Sequence, residues 1–178
     1  MLIKTYGSAI IGVNAIIITV EVNIDKGIQF FMVGLPDSAV KESHQRIEAA
    51  LGNNGYKIPG KKIVINMAPA DIRKEGSAYD LTIAVGILAA SEQIKSEKVG
   101  DYVIMGELSL DGGLQAIKGS LPIAIEARQG GFKGIIVPKE NAREAAIVND
   151  IEVYGVENIK NGVLFWFSIP LNKNKNSR

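Results

Sequence analysis

The segment from Lys62 to Ser91, KIVINMAPADIRKEGSAYDLTIAVGILAAS, constrains the chain more than any other. Ile63, Val64, Ile65 and Met67 form a β-rich apolar run that Pro69 stops, and Leu81 to Ala90 has the composition of a buried helix. The order strand, polar loop, helix demands a layered α/β core. It also places Asp71 to Asp80 on a loop between a strand end and a helix start, where open α/β sheets keep their chemistry.

The rest of the chain fits one mixed α/β domain. Residues 3–11, 14–24 and 28–33 are dense in Ile, Val, Thr and Phe, with turns expected at 12–14 and 25–27. Three such runs in sequence predict an antiparallel meander. Pro36 and Asp37 open a helix to about Asn53 that carries Val40, Ile47 and Leu51 on one face. After the strand at 63–67 and a helix at 79–91 come a strand at Tyr102 to Met105, a turn at Gly112 and Gly113, and a helix at 120–129. A short strand at Gly134 to Val137, a short helix capped by Asn141, a last strand at Ile151 to Tyr154 and a final helical segment complete the pattern. Residues 171–178, LNKNKNSR, carry no apolar periodicity and are expected to be a solvated tail or linker.

With 178 residues and 47% hydrophobic content, the chain can bury a core. Lys and Arg number 20 against 19 Asp and Glu, so there is no basic field of the kind that drives sequence-independent binding to nucleic acid. No cysteine is present, which removes disulfides and thiolate metal sites. The N-terminal apolar run lacks a charged leader and is broken by Gly12 and Asn14, so neither a signal peptide nor a membrane span fits. A cytoplasmic protein is expected.

Candidate chemistry begins with a decoy. Gly55 to Lys62 has the glycine and lysine spacing of a phosphate loop, but its context is helix, loop, strand, whereas phosphates are held at the start of a helix that follows a strand. The position that needs a hydroxyl for magnesium is Lys62. His44 is the single histidine, without a second ligand, and is expected at the edge of a packed helix face. Ser77 and Asp80 have the spacing of a helix N-cap and its acidic third residue, and capping is preferred over catalysis for Ser77. Asp71, Arg73, Lys74 and Glu75 are expected as solvated charges with small pair energies, kept as interaction candidates by their place in the loop.

Several motifs occur together in a recognisable order: Phe31-Met-Val-Gly-Leu-Pro-Asp37, Val40-Lys-Glu-Ser43, Asn66-Met-Ala-Pro-Ala-Asp71, Lys74-Glu-Gly76 and Tyr79-Asp-Leu81. In these the chain resembles the N-terminal domain of the magnesium-chelatase-like AAA+ ATPases, the ComM or YifB family, from about Tyr6 to Tyr154. Gly106-Glu-Leu-Ser-Leu-Asp-Gly112 and Gly134-Ile-Ile-Val-Pro-Lys-Glu-Asn141 are similar to the proteolytic domain of Lon proteases. Both resemblances imply the Lon-like fold named for the second domain of a small-subunit ribosomal protein, with a left-handed βαβ crossover.

The Lon resemblance implies a serine and lysine dyad, in which a desolvated lysine takes the serine proton. Aligned on Lys74-Glu-Gly76, the family's serine falls on Ala78; aligned on Gly106-Glu107 and Gly112, its lysine falls on Leu121. Neither residue can do that chemistry, and a shifted Ser77 and Lys118 pair is the residual alternative. The resemblance therefore implies a noncatalytic accessory domain at 1–168, followed by 169–178 as a tail or linker to an AAA+ module absent from this chain. ATP and magnesium belong to that module, with no cofactor in the chain itself. The implied partners are the module, a homo-hexameric ring and DNA reached through the full-length protein, with no membrane. Asp71, Arg73, Lys74, Glu75, Asp80 and Glu107 are the candidate interaction residues. The alternatives are a nucleic-acid-binding domain, which would use Lys57, Lys61 and Lys62, and a degenerate peptidase.

Overall fold

The computed structural model describes residues 1–160 together with Gly162 and Phe167. The final helical segment and the tail expected from the sequence lie largely outside these residues.

The chain opens with a long hairpin, β1 (Leu2–Ile11) and β2 (Asn14–Asp25), in register from Leu2↔Asn23 to Ile11↔Asn14. The expected meander does not continue from it. The next strand, β3 (Phe30–Val33), pairs parallel with β4 (Lys62–Ala68), and β4 itself lies antiparallel against β2. A parallel pair needs a crossover, and the helices between β3 and β4 supply it. The returning strand β4 therefore enters between β2 and β3 and leaves the four-residue β3 at the sheet edge.

That crossover is two helices where one was expected: α1 (Ser38–Lys41) and α2 (Ser43–Gly52), meeting at Glu42. Asp37 caps α1 by accepting from the Val40 amide at 2.8 Å. Val40, Ile47 and Leu51 are buried, as their spacing predicts.

Helix α3 (Asp80–Ala90) follows the 69–79 loop, and every one of its residues is buried. It packs on β1 and β2 at the centre of the molecule. The strands β5 (Tyr102–Ile104), β8 (Gly134–Pro138) and β9 (Glu152–Val156) extend the sheet in parallel beyond β1, giving the order β3-β4-β2-β1-β5-β8-β9. The small hairpin of β6 (Glu107–Leu108) and β7 (Leu114–Gln115) carries the expected glycine turn. The remaining helices are α4 (Ser120–Gln129) and α5 (Lys139–Ala145). The result is the mixed α/β, Lon-like class expected. Among the described residues no helix is long and apolar enough to cross a membrane.

Asn141 does not cap a helix. It sits inside α5, buried, and its side chain accepts from the Ile117 amide at 2.9 Å and donates to the Ile117 carbonyl at 2.7 Å. One amide group thus satisfies both backbone groups of a residue, as a neighbouring strand would.

Candidate interaction cleft

Two sequence motifs distant in the chain interlock beside the 69–79 loop. The Lys74 amide donates to Leu35 O at 3.0 Å and the Asp37 amide donates to Lys74 O at 2.9 Å, a short parallel bridge. Asp37 Oδ2 also accepts from the Gly76 amide at 3.1 Å, while Oδ1 holds the start of α1. Gly34 permits the approach. Its φ is +100°, and a Cβ there would stand 2.1 Å from Met67 O.

Lys74 is the main correction to the sequence reading. The expected solvated lysine is fully buried, with Nζ donating to Gly34 O at 2.7 Å and to Pro69 O. Burial lowers its pKa below the ordinary value, partly opposed by the charge of Asp71. The ammonium pins the ends of β3 and β4 together from inside and is closed to a partner.

Asp80 is corrected in the same way. Helix α3 begins at Asp80 with Tyr79 as its cap residue, and the Ser77 hydroxyl makes no capping bond. The Asp80 carboxylate is instead buried and accepts from Ser43 Oγ at 2.6 Å, Arg46 Nε at 2.7 Å, Arg46 Nη2 at 2.9 Å and the Leu108 amide at 3.0 Å. The bond to Asp80 is the largest cause of a raised Arg46 pKa, with smaller help from Glu107 and Glu42 after the cost of burial. Arg46 and Ser43 went unnoticed in the sequence. Their signal is a pair of polar residues, three apart, beside Ile47 and Ala50 on the packed side of α2.

Asp71, Arg73 and Glu75 stand at the surface, and Glu107 is half-buried. They line an open cleft of about 830 Å³ with Ser77, Ala78 and Lys118. Arg73 pairs with Glu75 at 3.3 Å, both well exposed. Asp71, Glu107 and Lys118 form no ion pair with any described residue. The end of β1 supplies a side of the cleft that sequence reasoning did not foresee, through Ser8 to Ile11. Ile10 and Ile11 are exposed there, in a strand whose middle is buried.

Ser77 and Lys118 line this one cleft, but neither Ser77 Oγ nor Lys118 Nζ hydrogen-bonds to a described residue. Ala78 lies in the same wall, and Leu121 packs half-buried on the core. His44 stacks on Phe30 with ring centroids 3.9 Å apart and faces Glu48 at 3.8 Å, which is the packed-edge position expected. Among the described residues no three His, Cys, Asp or Glu side chains gather as metal ligands. The Gly55 to Lys62 segment runs from α2 into β4, so no helix N-terminus follows it as a phosphate loop would need. Lys57 and Lys61 are exposed and Lys62 half-buried, and none of the three lines the cleft.

Comparison with known proteins places these features in a lineage. A family model described as subunit ChlI of Mg-chelatase matches residues 20–141. YifB of Escherichia coli (strain K12) is 50% identical over 142 residues, covering 79% of this chain and 28% of YifB. Competence protein ComM of Haemophilus influenzae is 41% identical over 161 residues, 90% of this chain and 31% of ComM. Lon protease 2 of Bacillus subtilis is 32% identical over 120 residues, 67% of this chain and 20% of that protein. The chain spans less than a third of the length of these curated relatives.

Proposed function

The chain belongs to the family of subunit ChlI of Mg-chelatase, and on that premise we propose that it is the noncatalytic accessory domain of a longer magnesium-chelatase-like AAA+ ATPase. Its task in this reading is to hold a substrate or partner in the cleft while the ATPase does the work. Residues 1–168 form the domain, and 169–178 lead toward the module where ATP and magnesium act. The longer protein is a cytoplasmic ring, a homo-hexamer, that acts on DNA.

The observation that carries the proposal is Ala78 in the cleft wall. By the resemblance to Lon proteases, this is where their nucleophilic serine would fall, and Leu121 is where their lysine would fall. A methyl group and an isobutyl group can neither attack a carbonyl nor move a proton. What remains is a shaped, charged-rimmed cleft without a complete dyad, which suits binding rather than turnover.

One observation favours a second reading, the degenerate peptidase: Ser77 and Lys118 line the same cleft. A single experiment separates the two. The chain is incubated with an unfolded protein substrate, and the products are weighed by mass spectrometry, for the wild type and for Ser77→Ala. In parallel, ATP turnover is measured for the longer protein with and without residues 1–168. The accessory reading expects no cleavage, and basal turnover that persists without the domain while stimulation by substrate is lost. Cleavage that disappears in Ser77→Ala would establish the peptidase instead.

A further inference from the structure

We infer that the cleft takes an extended polypeptide segment, which adds to the free edge of β1 as a strand beside Ile10. This rests on the accessory-domain reading and names the class of partner for the same cleft.

The argument starts from the alternation of an antiparallel strand. The tight turn pairs Ile11 with Asn14, so the backbone groups of Ile11 and Ala9 face β2, and those of Ile10 and Ser8 face the other way. The Ser8 amide confirms the direction, since it donates to Met105 Sδ at 3.3 Å on the far side from β2. Parallel β5 pairs with β1 at Tyr6↔Val103 and ends at Ile104. Beyond that level no strand among the described residues covers β1, and no described residue hydrogen-bonds to the Ile10 amide or carbonyl on this side. A strand edge with an unused donor and acceptor therefore opens into the cleft.

A second segment, at 116–118 just beyond the end of β7, lines the cleft. Asn141 takes both backbone groups of Ile117. The backbone groups of Ala116 and Lys118 have no backbone hydrogen-bond partner among the described residues. Backbone pairing recognises any polypeptide, while side-chain pockets select among them.

Charge decides against the competing occupant. Asp71, Glu75 and Glu107 outnumber Arg73 and Lys118 around the cleft, and Arg73 is already paired with Glu75. A polyphosphate backbone would meet unpaired carboxylates and release few counterions. A neutral or basic peptide with apolar side chains against Ile10 and Ile11 meets none of that opposition.

The test uses a bead-displayed library of random decapeptides, selected against the chain, with a single-stranded DNA oligonucleotide as the competing probe. The best peptide is resynthesised with one backbone N-methyl group at each position in turn. Strand addition predicts that N-methylation at alternate positions weakens binding at least about tenfold while the intervening positions are tolerated. It also predicts that the Ile10 amide, which exchanges faster than those of Ala9 and Ile11 in the free chain, slows on binding. Ile10→Pro, which removes the outward N–H along with the Ile10 side chain and fixes the local φ, abolishes peptide binding, and the N-methyl series isolates the hydrogen bonds and decides alone if that variant fails to fold. Binding that tolerates every N-methyl group, an Ile10 exchange rate that does not change, or binding of the oligonucleotide with no peptide selected would each overturn the inference. Cleavage of the bound peptide would sink the accessory reading while leaving strand addition in place. Absence of both peptide binding and cleavage would do the reverse.

Discussion

The guanidinium of Arg46 engages both carboxylate oxygens of Asp80, at 2.7 and 2.9 Å, and thereby ties α2 to the first turn of the central helix α3. The carboxylate has no exposure to solvent, whereas the Arg46 side chain retains 19%. Ser43 and the Leu108 amide complete its shell, so the start of α3, α2 and β6 meet on one buried charge. Its position at a helix N-terminus adds a favourable interaction with the helix dipole.

Removing the arginine leaves that carboxylate buried without its counter-charge. Arg46→Met is expected to cost about 3–5 kcal/mol of folding stability, the range for breaking one side of a buried pair. Chemical denaturation against the wild type measures it. A loss below about 1 kcal/mol would mean that solvent screens the pair as it does a surface bridge.

Lys74 sets a pH dependence with a defined sign. Its folded pKa lies below the ordinary 10.5, so between the two values the unfolded chain binds more protons than the native one, and stability rises with pH. Unfolding free energies of wild type and Lys74→Met, taken at steps from neutral pH toward 10.5, should show the wild type gaining on the variant. A difference that stays flat, or that shrinks as pH rises, would show that the ammonium carries no desolvation penalty.

Gly34 and Gly76 share a positive φ but not a neighbourhood. Alanine at Gly76 meets nothing within 4 Å, and its expected cost is the left-handed backbone alone, about 1–2 kcal/mol. At Gly34 the added Cβ collides with Met67 O. Gly34→Ala should therefore cost clearly more than Gly76→Ala and should loosen the bridge between 35–37 and 74. Equal thermal midpoints for the two variants would contradict the close approach.

Much of the framework was legible from periodicity. The strands β1, β2 and β4 alternate or run apolar, and α3 has no polar face to expose, so each announced its type and burial. Long-range pairing was not legible. Nothing local indicates that β4 returns between β2 and β3, because that order depends on a crossover rather than on any residue of β3. Lys74 sits among Asp71, Arg73 and Glu75 and has the look of a surface charge. Its burial depends on two carbonyls, at Gly34 and Pro69, that only the folded chain assembles. Asp80 was misread for a related reason: the Ser-x-x-Asp spacing suits a cap, but the carboxylate finds stronger partners in Ser43 and Arg46. In the cleft, Asp71, Arg73 and Glu75 were read from the loop as solvated charges, whereas the edge of β1 at Ile10 becomes visible only when β5 is seen to stop short.

The central claim is that this cleft serves an ATPase without performing catalysis, and a charge reversal tests it most directly. In the full-length protein, ATP turnover is measured with and without substrate for the wild type and for the variant Glu107→Lys combined with Asp71→Lys, two cleft carboxylates outside any ion pair. The account predicts unchanged basal turnover and stimulation by substrate reduced at least about tenfold, equivalent to about 1.4 kcal/mol of lost coupling. Stimulation equal to that of the wild type would contradict it.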